Sequence, residues 1–170
     1  MSIWHDKLKD YDKRLMIVSG GQRGVDQAGL AAAIDWKLPT GGWVPKGWIT
    51  RNGPMPQLSK LGCIEHKSPK YSPRTYANVK DSDGTIRLAY DFTTPGERCT
   101  KKAIDFYEKP WYDINLNDPD FIFDVTKWID DNNIHVLNIA GNGGSTKAVA
   151  SAIFKETRSY LSKIFRAYSE

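Results

Sequence analysis

Cysteine is scarce in this chain of 170 residues: Cys63 and Cys99 have neither the spacing of a metal site nor the density of a disulfide scaffold. Both read as reduced thiols engaged in packing. No apolar run approaches the roughly 20 residues needed to cross a bilayer, and Met1-Ser2-Ile3-Trp4-His5-Asp6 lacks the basic and apolar regions of a signal peptide. A soluble, cytoplasmic protein with no membrane partner is expected. Histidine is sparse too: His5, His66 and His135 stand apart and make no H-x-x-H or H-E-x-x-H pattern. There is no Gly-x-Ser-x-Gly elbow to support nucleophilic hydrolysis, and no P-loop, because Lys147 follows Ser145-Thr146 instead of preceding it. Charge of one sign is also lacking. The net charge of +4 and pI near 9 suggest nucleic acid, yet the 24 basic residues are spread among 20 acidic ones without a cluster.

With 40% hydrophobic residues the chain can bury one good core and is short for two. A single domain over 1–170 is expected, with 1–14 as an N-terminal extension. Strand-like runs at 15–19, 62–66, 85–90, 111–116 and 134–140 alternate with helical patterns at 25–36, 73–81, 99–109, 120–132 and 145–166. That order builds an α/β fold with a mostly parallel sheet covered by helices. The irregular stretch is 39–60, crowded with proline and glycine, and loops of that length are usually functional or mobile.

The chemistry starts at Leu15-Met16-Ile17-Val18-Ser19-Gly20-Gly21-Gln22-Arg23-Gly24-Val25-Asp26, a buried-looking strand that ends in glycines and opens a helix. Glycines let backbone approach a ligand, and helix N-terminal N–H groups favour an anion, usually phosphate. Glycine turns also join strands to helices with nothing bound. Within the irregular stretch, Gly41-Gly42-Trp43-Val44-Pro45-Lys46-Gly47 offers flexible backbone, an aromatic surface and a lysine; Trp43 and Trp48 equally suit a core or a lid. Asp81, Ser82 and Asp83 precede a strand and suit either ligand contact or the satisfaction of turn groups. Gly96 and Thr100 lie at a strand-to-helix junction, where open α/β sheets gather ligands. A further junction, Ala140–Lys147, reads first as a capping turn for the final helix. Arg23, Lys46, Arg51, Arg74 and Arg98 each sit beside a glycine or proline turn and suit a common cleft.

Taken in order, Ser19-Gly20-Gly21-Gln22-x-Gly24-Val25-Asp26, Gly41-Gly42-Trp43-x-Pro45-Lys46-Gly47, Asn78-Val79-x-Asp81-Ser82-Asp83-Gly84-Thr85 and Leu137-Asn138-Ile139-Ala140-Gly141 resemble the molybdenum carrier family. The resemblance spans roughly 15–165. It implies the Rossmann-like, doubly wound parallel sheet of the wider SLOG group, to which lysine-decarboxylase-like, cytokinin-activating and DNA-processing proteins belong. It also implies binding of molybdenum cofactor, a phosphorylated pterin that carries the metal, or of a nucleotide. One segment departs. Against the Pro-Gly-Gly-x-Gly-Thr-x-x-Glu signature of the nucleotide-hydrolysing relatives, this chain has Pro95-Gly96-Glu97-Arg98-Cys99-Thr100, with Ala103 in place of the catalytic glutamate.

The expected function is therefore a carrier for a small phosphorylated heterocycle, without catalysis, held by Gly20, Gly21, Gln22, Arg23, Gly24, Asp26, Trp43, Lys46, Asp81, Ser82, Asp83, Gly96 and Thr100. A homo-oligomer is expected. The alternatives are a nucleotide-processing enzyme, with Asp26, Asp81 or Asp83 as its carboxylate, and a single-stranded nucleic-acid module, which the scattered charge disfavours.

Overall fold

The computed structural model describes residues 1–170, and its first strand, β1 (Met16–Ser19), is buried at every position. A strand apolar on both faces belongs inside a parallel sheet covered twice. Here Ile17 enters the larger core with Leu137 and Ile139, while Met16 and Val18 face a smaller cluster built on Trp4. In chain order the elements are α1 (Ile3–Leu8), β1, α2 (Val25–Asp35), β2 (Thr40–Val44), β3 (Ile49–Thr50), β4 (Gly53–Pro54), a 3-10 turn over Pro56–Leu61 and β5 (Cys63–Glu65). They continue with α3 (Tyr71–Lys80), β6 (Gly84–Ala89), α4 (Pro95–Tyr107), β7 (Trp111–Asn115), α5 (Ile122–Asp131), β8 (Val136–Gly141), α6 (Lys147–Phe165) and a closing 3-10 turn.

Six strands form one parallel sheet in the order β5-β2-β1-β8-β6-β7, with β3 and β4 a separate antiparallel pair. Followed from β6 and closed through the termini, the strands read 2-1-3-4-5-6 across the sheet. That is the flavodoxin-like doubly wound order with its start moved. The point where the winding reverses then falls between β6 and β8. α2, α5 and α6 bury Val25, Val125, Ile129, Leu161 and Phe165 on one face; α1, α3 and α4 cover the other. No helix is long and apolar enough to cross a membrane.

Several elements differ from their sequence reading. The residues read as an extension carry α1, whose Trp4 is fully buried; Ser2 Oγ donates to the Asp81 carbonyl at 2.7 Å, and His5 Nε2 lies 2.8 Å from Asp83 Oδ1. Thr40–Val44, read as irregular, is a strand. Its glycines serve packing: a Cβ on Gly41 would lie 2.7 Å from the Trp4 ring, and one on Gly42, at φ +128, would lie 2.0 Å from the Ser19 carbonyl oxygen. α4 starts at Pro95 rather than at 99, since proline fits the first helical turn, where its missing N–H costs nothing.

Candidate functional site

A cavity of about 770 Å³ opens at the carboxyl edge of β1, β8 and β6, across the point where the winding reverses. Gly20 and Gln22 after β1, Tyr90 and Asp91 after β6, and Asn142 to Ser145 after β8 form its rim. The first turns of α3 and α4, through Tyr71, Ser72, Arg74, Gly96 and Glu97, form a wall, and Asn138 of β8 lies among the lining residues.

Two helix ends at this cavity carry their own carboxylates. At α2, Asp26 Oδ2 accepts the Gln22 N–H at 3.2 Å, Ser19 Oγ accepts that of Gly21 at 3.3 Å, and Gln22 Oε1 accepts that of Arg23 at 3.1 Å. Burial pushes the Asp26 carboxyl up to about 6, against the pull of the Arg74 guanidinium, whose Nη2 is 4.0 Å from Oδ2, and of the Gln22 N–H. At α4, Glu97 Oε2 accepts from Thr94 Oγ and from Asn142 Nδ2 at 2.8 Å. Burial pushes Glu97 up to about 7; the Asn142 bond opposes this and the Asp26 charge adds to it.

The start of α6 carries no acidic residue in its first turn. Thr146 caps it, accepting from the Val149 N–H at 3.1 Å, but the backbone N–H groups of Gly143, Gly144, Ser145 and Thr146 have no acceptor within the protein. Arg23 explains their direction. Its Nε and Nη2 donate to the carbonyls of Gly143 and Gly144 at 3.1 and 2.9 Å, and Arg51 Nη1 adds a bond to Gly144 O at 3.1 Å. In a trans peptide the N–H points opposite to its C=O, so the Gly144 and Ser145 N–H groups turn away from Arg23, in a loop that lines the cavity. With the macrodipole of a 19-residue helix behind them, they are arranged as donors that could receive an anion.

The chain matches the family described as "Circularly permutated YpsA SLOG family" over residues 17–165, most of its length. The chain belongs to that family. The shifted start of the strand order agrees with the circular permutation in that description. A crystal structure of a "Putative molybdenum carrier protein" from Syntrophus aciditrophicus SB is similar, with 34% identity and a TM-score of 0.78 over 92% of this chain and 98% of that one. No curated protein matches this chain.

In this family member the expected residues divide into distinct groups. Gly20, Gln22, Asp26, Gly96 and Thr100 line the cavity. Gly21, Arg23 and Gly24 belong to the same turn but not to the lining. Gly21, at φ +74, faces Val44 and Leu58; Gly24, at φ +85, keeps clear of the Asn142 carbonyl, which accepts the Val25 N–H at 3.1 Å. Trp43 lies in β2 against Trp4 and His66, with Nε1 donating to Asp81 Oδ2 at 2.9 Å. Lys46 is exposed and outside the cavity. Asp81, Ser82 and Asp83 sit at the opposite, amino edge of the sheet, where Asp83 accepts the N–H groups of His135 and Val136, each at 2.9 Å. Of the five turn-flanking cations, Arg51 and Arg74 reach the cavity, and Arg23, Lys46 and Arg98 do not. Ala103, in place of the relatives' catalytic glutamate, is fully buried beside Val79 and Ile104.

The sequence reading missed Asn138, Asn142, Gly143 and Gly144 as cavity residues. A signal for Asn138 was present: an asparagine inside the apolar run Val136-Leu137-Asn138-Ile139 is either paired to protein or turned to a ligand. Cys99, read as packing, is on the cavity wall 3.5 Å from Ser72 Oγ, whereas Cys63 is buried and its thiol is pushed up to about 12 by that burial.

Proposed function

We propose that this protein binds and carries a small phosphorylated heterocycle, molybdenum cofactor or a nucleotide, in the cavity between the ends of β6 and β8. The observation that carries this reading is the set of unpartnered N–H groups at Gly143–Thr146. They are aimed by Arg23 and backed by the α6 dipole, while the neighbouring ends of α2 and α4 already hold carboxylates. Arg51 at the rim supplies positive charge, and Tyr71 and Tyr90, both exposed on one side, offer surfaces for a flat ring.

For molybdenum cofactor the fit rests on the phosphate. No group of three or more His, Cys, Asp or Glu is placed to hold a metal ion, so the metal would remain with the pterin. The 34%-identical neighbour bears the name of a molybdenum carrier, which supports the same class of ligand. Native mass spectrometry of the protein purified from its own cells tests the reading: a bound mass of a phosphorylated pterin or nucleotide is expected, and a ligand-free spectrum contradicts it.

One observation favours a second reading, a nucleotide-processing enzyme: Asp26 and Glu97, both buried and both held protonated more readily than ordinary carboxyls, line the same cavity. Release of free base from nucleoside monophosphates, lost in Glu97→Gln, would replace the carrier reading with this one.

A further inference from the structure

Asn138 is a polar residue in the middle of the sheet. Val136, Leu137 and Ile139 around it are fully buried and apolar, and Asn138 itself is 3% exposed. Its Nδ2 donates to Thr85 Oγ1 at 3.2 Å, and its Oδ1 has no partner. Arg74 of α3, 9% exposed, shows the complementary deficiency. Nη1 meets Thr75 Oγ1, Nη2 is 4.0 Å from Asp26, too far for a hydrogen bond, and Nε is buried without an acceptor. Both residues line the same cavity.

The register brings them together. Asn138 pairs with Val18 across β8 and β1, and Gly20 lies two residues beyond Val18 on the same face. Arg74 rests on Gly20: a Cβ there would be 2.7 Å from the guanidinium carbon, so a larger residue would displace the guanidinium. Arg74 over Gly20 and Asn138 beside Val18 thus stand at diagonal positions on one face of the sheet, both lining the cavity, one with a nitrogen lacking an acceptor and the other with an oxygen lacking a donor. A buried group left unpaired is a standing cost to the folded protein, which a bound partner removes.

We propose that this floor takes an edge of the ligand that carries a hydrogen-bond donor beside an acceptor, the donor meeting Asn138 Oδ1 and the acceptor meeting Arg74. The inference rests on the reading that the cavity holds a phosphorylated ligand, and it adds which part of that ligand is buried. A ring lactam, N–H beside C=O, has this chemistry, and so does the vicinal diol of a ribose.

The test is calorimetric titration of GMP, AMP and 2′,3′-dideoxy-AMP into the wild-type protein and Asn138→Leu, with melting temperatures of both proteins free of ligand. The expected result is a melting temperature in Asn138→Leu equal to or above that of the wild type, with affinity for the best probe lowered by about tenfold or more. Preference for GMP over AMP marks the lactam as the recognised edge; equal binding of the two with loss of the dideoxy analogue marks the diol. Unchanged affinity in Asn138→Leu overturns the inference alone. A melting temperature lowered by more than about 5 °C makes Asn138 a structural group and overturns it as well. Failure of the wild type to bind any of the three probes overturns the nucleotide form of the reading, and the inference with it.

Discussion

The Asp26 carboxylate accepts the Gln22 N–H at 3.2 Å, filling with the protein's own charge the place at the start of α2 where a ligand anion would sit. Within the turn Gly20–Gly24, the N–H groups of Gly21, Gln22 and Arg23 are thus held by the protein's own side-chain oxygens. A run of four consecutive N–H groups without an acceptor lies one strand away, at Gly143–Thr146.

Asp26 makes stability depend on pH. Its carboxyl is raised from 3.8 to about 6, so the stability linked to it is fully present below about pH 4 and is lost as pH rises through 6. Asp26→Asn keeps an acceptor for the Gln22 N–H and removes the buried charge. Thermal melts of this variant are expected to show a gain of at most about 3 kcal/mol at pH 7 and none at pH 4. A gain that is the same at both pH values would mean that the carboxylate's charge is not the cause.

Arg23 and Lys46 were equally attractive as cations in the sequence, and the structure separates them. Arg23→Gln leaves the Gly143 carbonyl and Asn52 Oδ1 without their donor and the Gly144 carbonyl with Arg51 alone. A loss of about 2–4 kcal/mol in denaturant unfolding is expected, with weaker nucleotide binding as the loop loosens. Lys46→Gln is expected to leave both unchanged, and an effect on binding would place the ligand elsewhere.

Two glycines test the backbone geometry. A Cβ on Gly141 would lie 1.9 Å from the Leu88 carbonyl oxygen, while nothing stands within 4 Å of one on Gly96. Gly141→Ala is expected to prevent folding or to cost several kcal/mol, and Gly96→Ala to leave the melting temperature within a few degrees. Circular dichroism melts of the two variants decide it.

Asp83 belongs to the amino edge and should matter for folding alone. Backbone N–H groups of Val136 and His135 and the His5 ring hold its carboxyl below the usual carboxylate range, against the opposing effect of burial. Its contribution is present above about pH 4 and is lost as pH falls below that. Asp83→Asn is expected to cost about 1–2 kcal/mol at pH 7, with nucleotide affinity unchanged by calorimetry.

The local parts of the fold were legible because they are local. β1, its glycine turn and α2 follow from an apolar run, two glycines and an alanine-rich helix. β2 was hidden because its glycines look like a loop, yet they are required by the Trp4 ring and the Ser19 backbone, contacts between residues distant in the chain. Trp4 itself was lost with the N-terminal segment for the same reason.

The site was less legible than the fold. A glycine after a strand announces a turn but not whether its amides are free; only the structure shows that Asp26 takes the Gln22 N–H and that Glu97 stands at the start of α4, bonded to Thr94 and Asn142. The Asp81–Asp83 segment did carry a warning, since it precedes a strand and so belongs to the edge of a parallel sheet opposite the ligand. Asn138 and Arg74 come to line one cavity only because β8 pairs with β1 and α3 packs over Gly20, which no local pattern reveals.

Phosphate binding at the start of α6 is read out by amide chemical shifts in a ¹⁵N-labelled sample titrated with AMP and GMP. The largest shifts are expected on Gly143, Gly144, Ser145 and Thr146, with small changes at Gly21 to Gly24. The largest shifts on Gly21 to Gly24, or none at Gly143 to Thr146 on saturation, would contradict it.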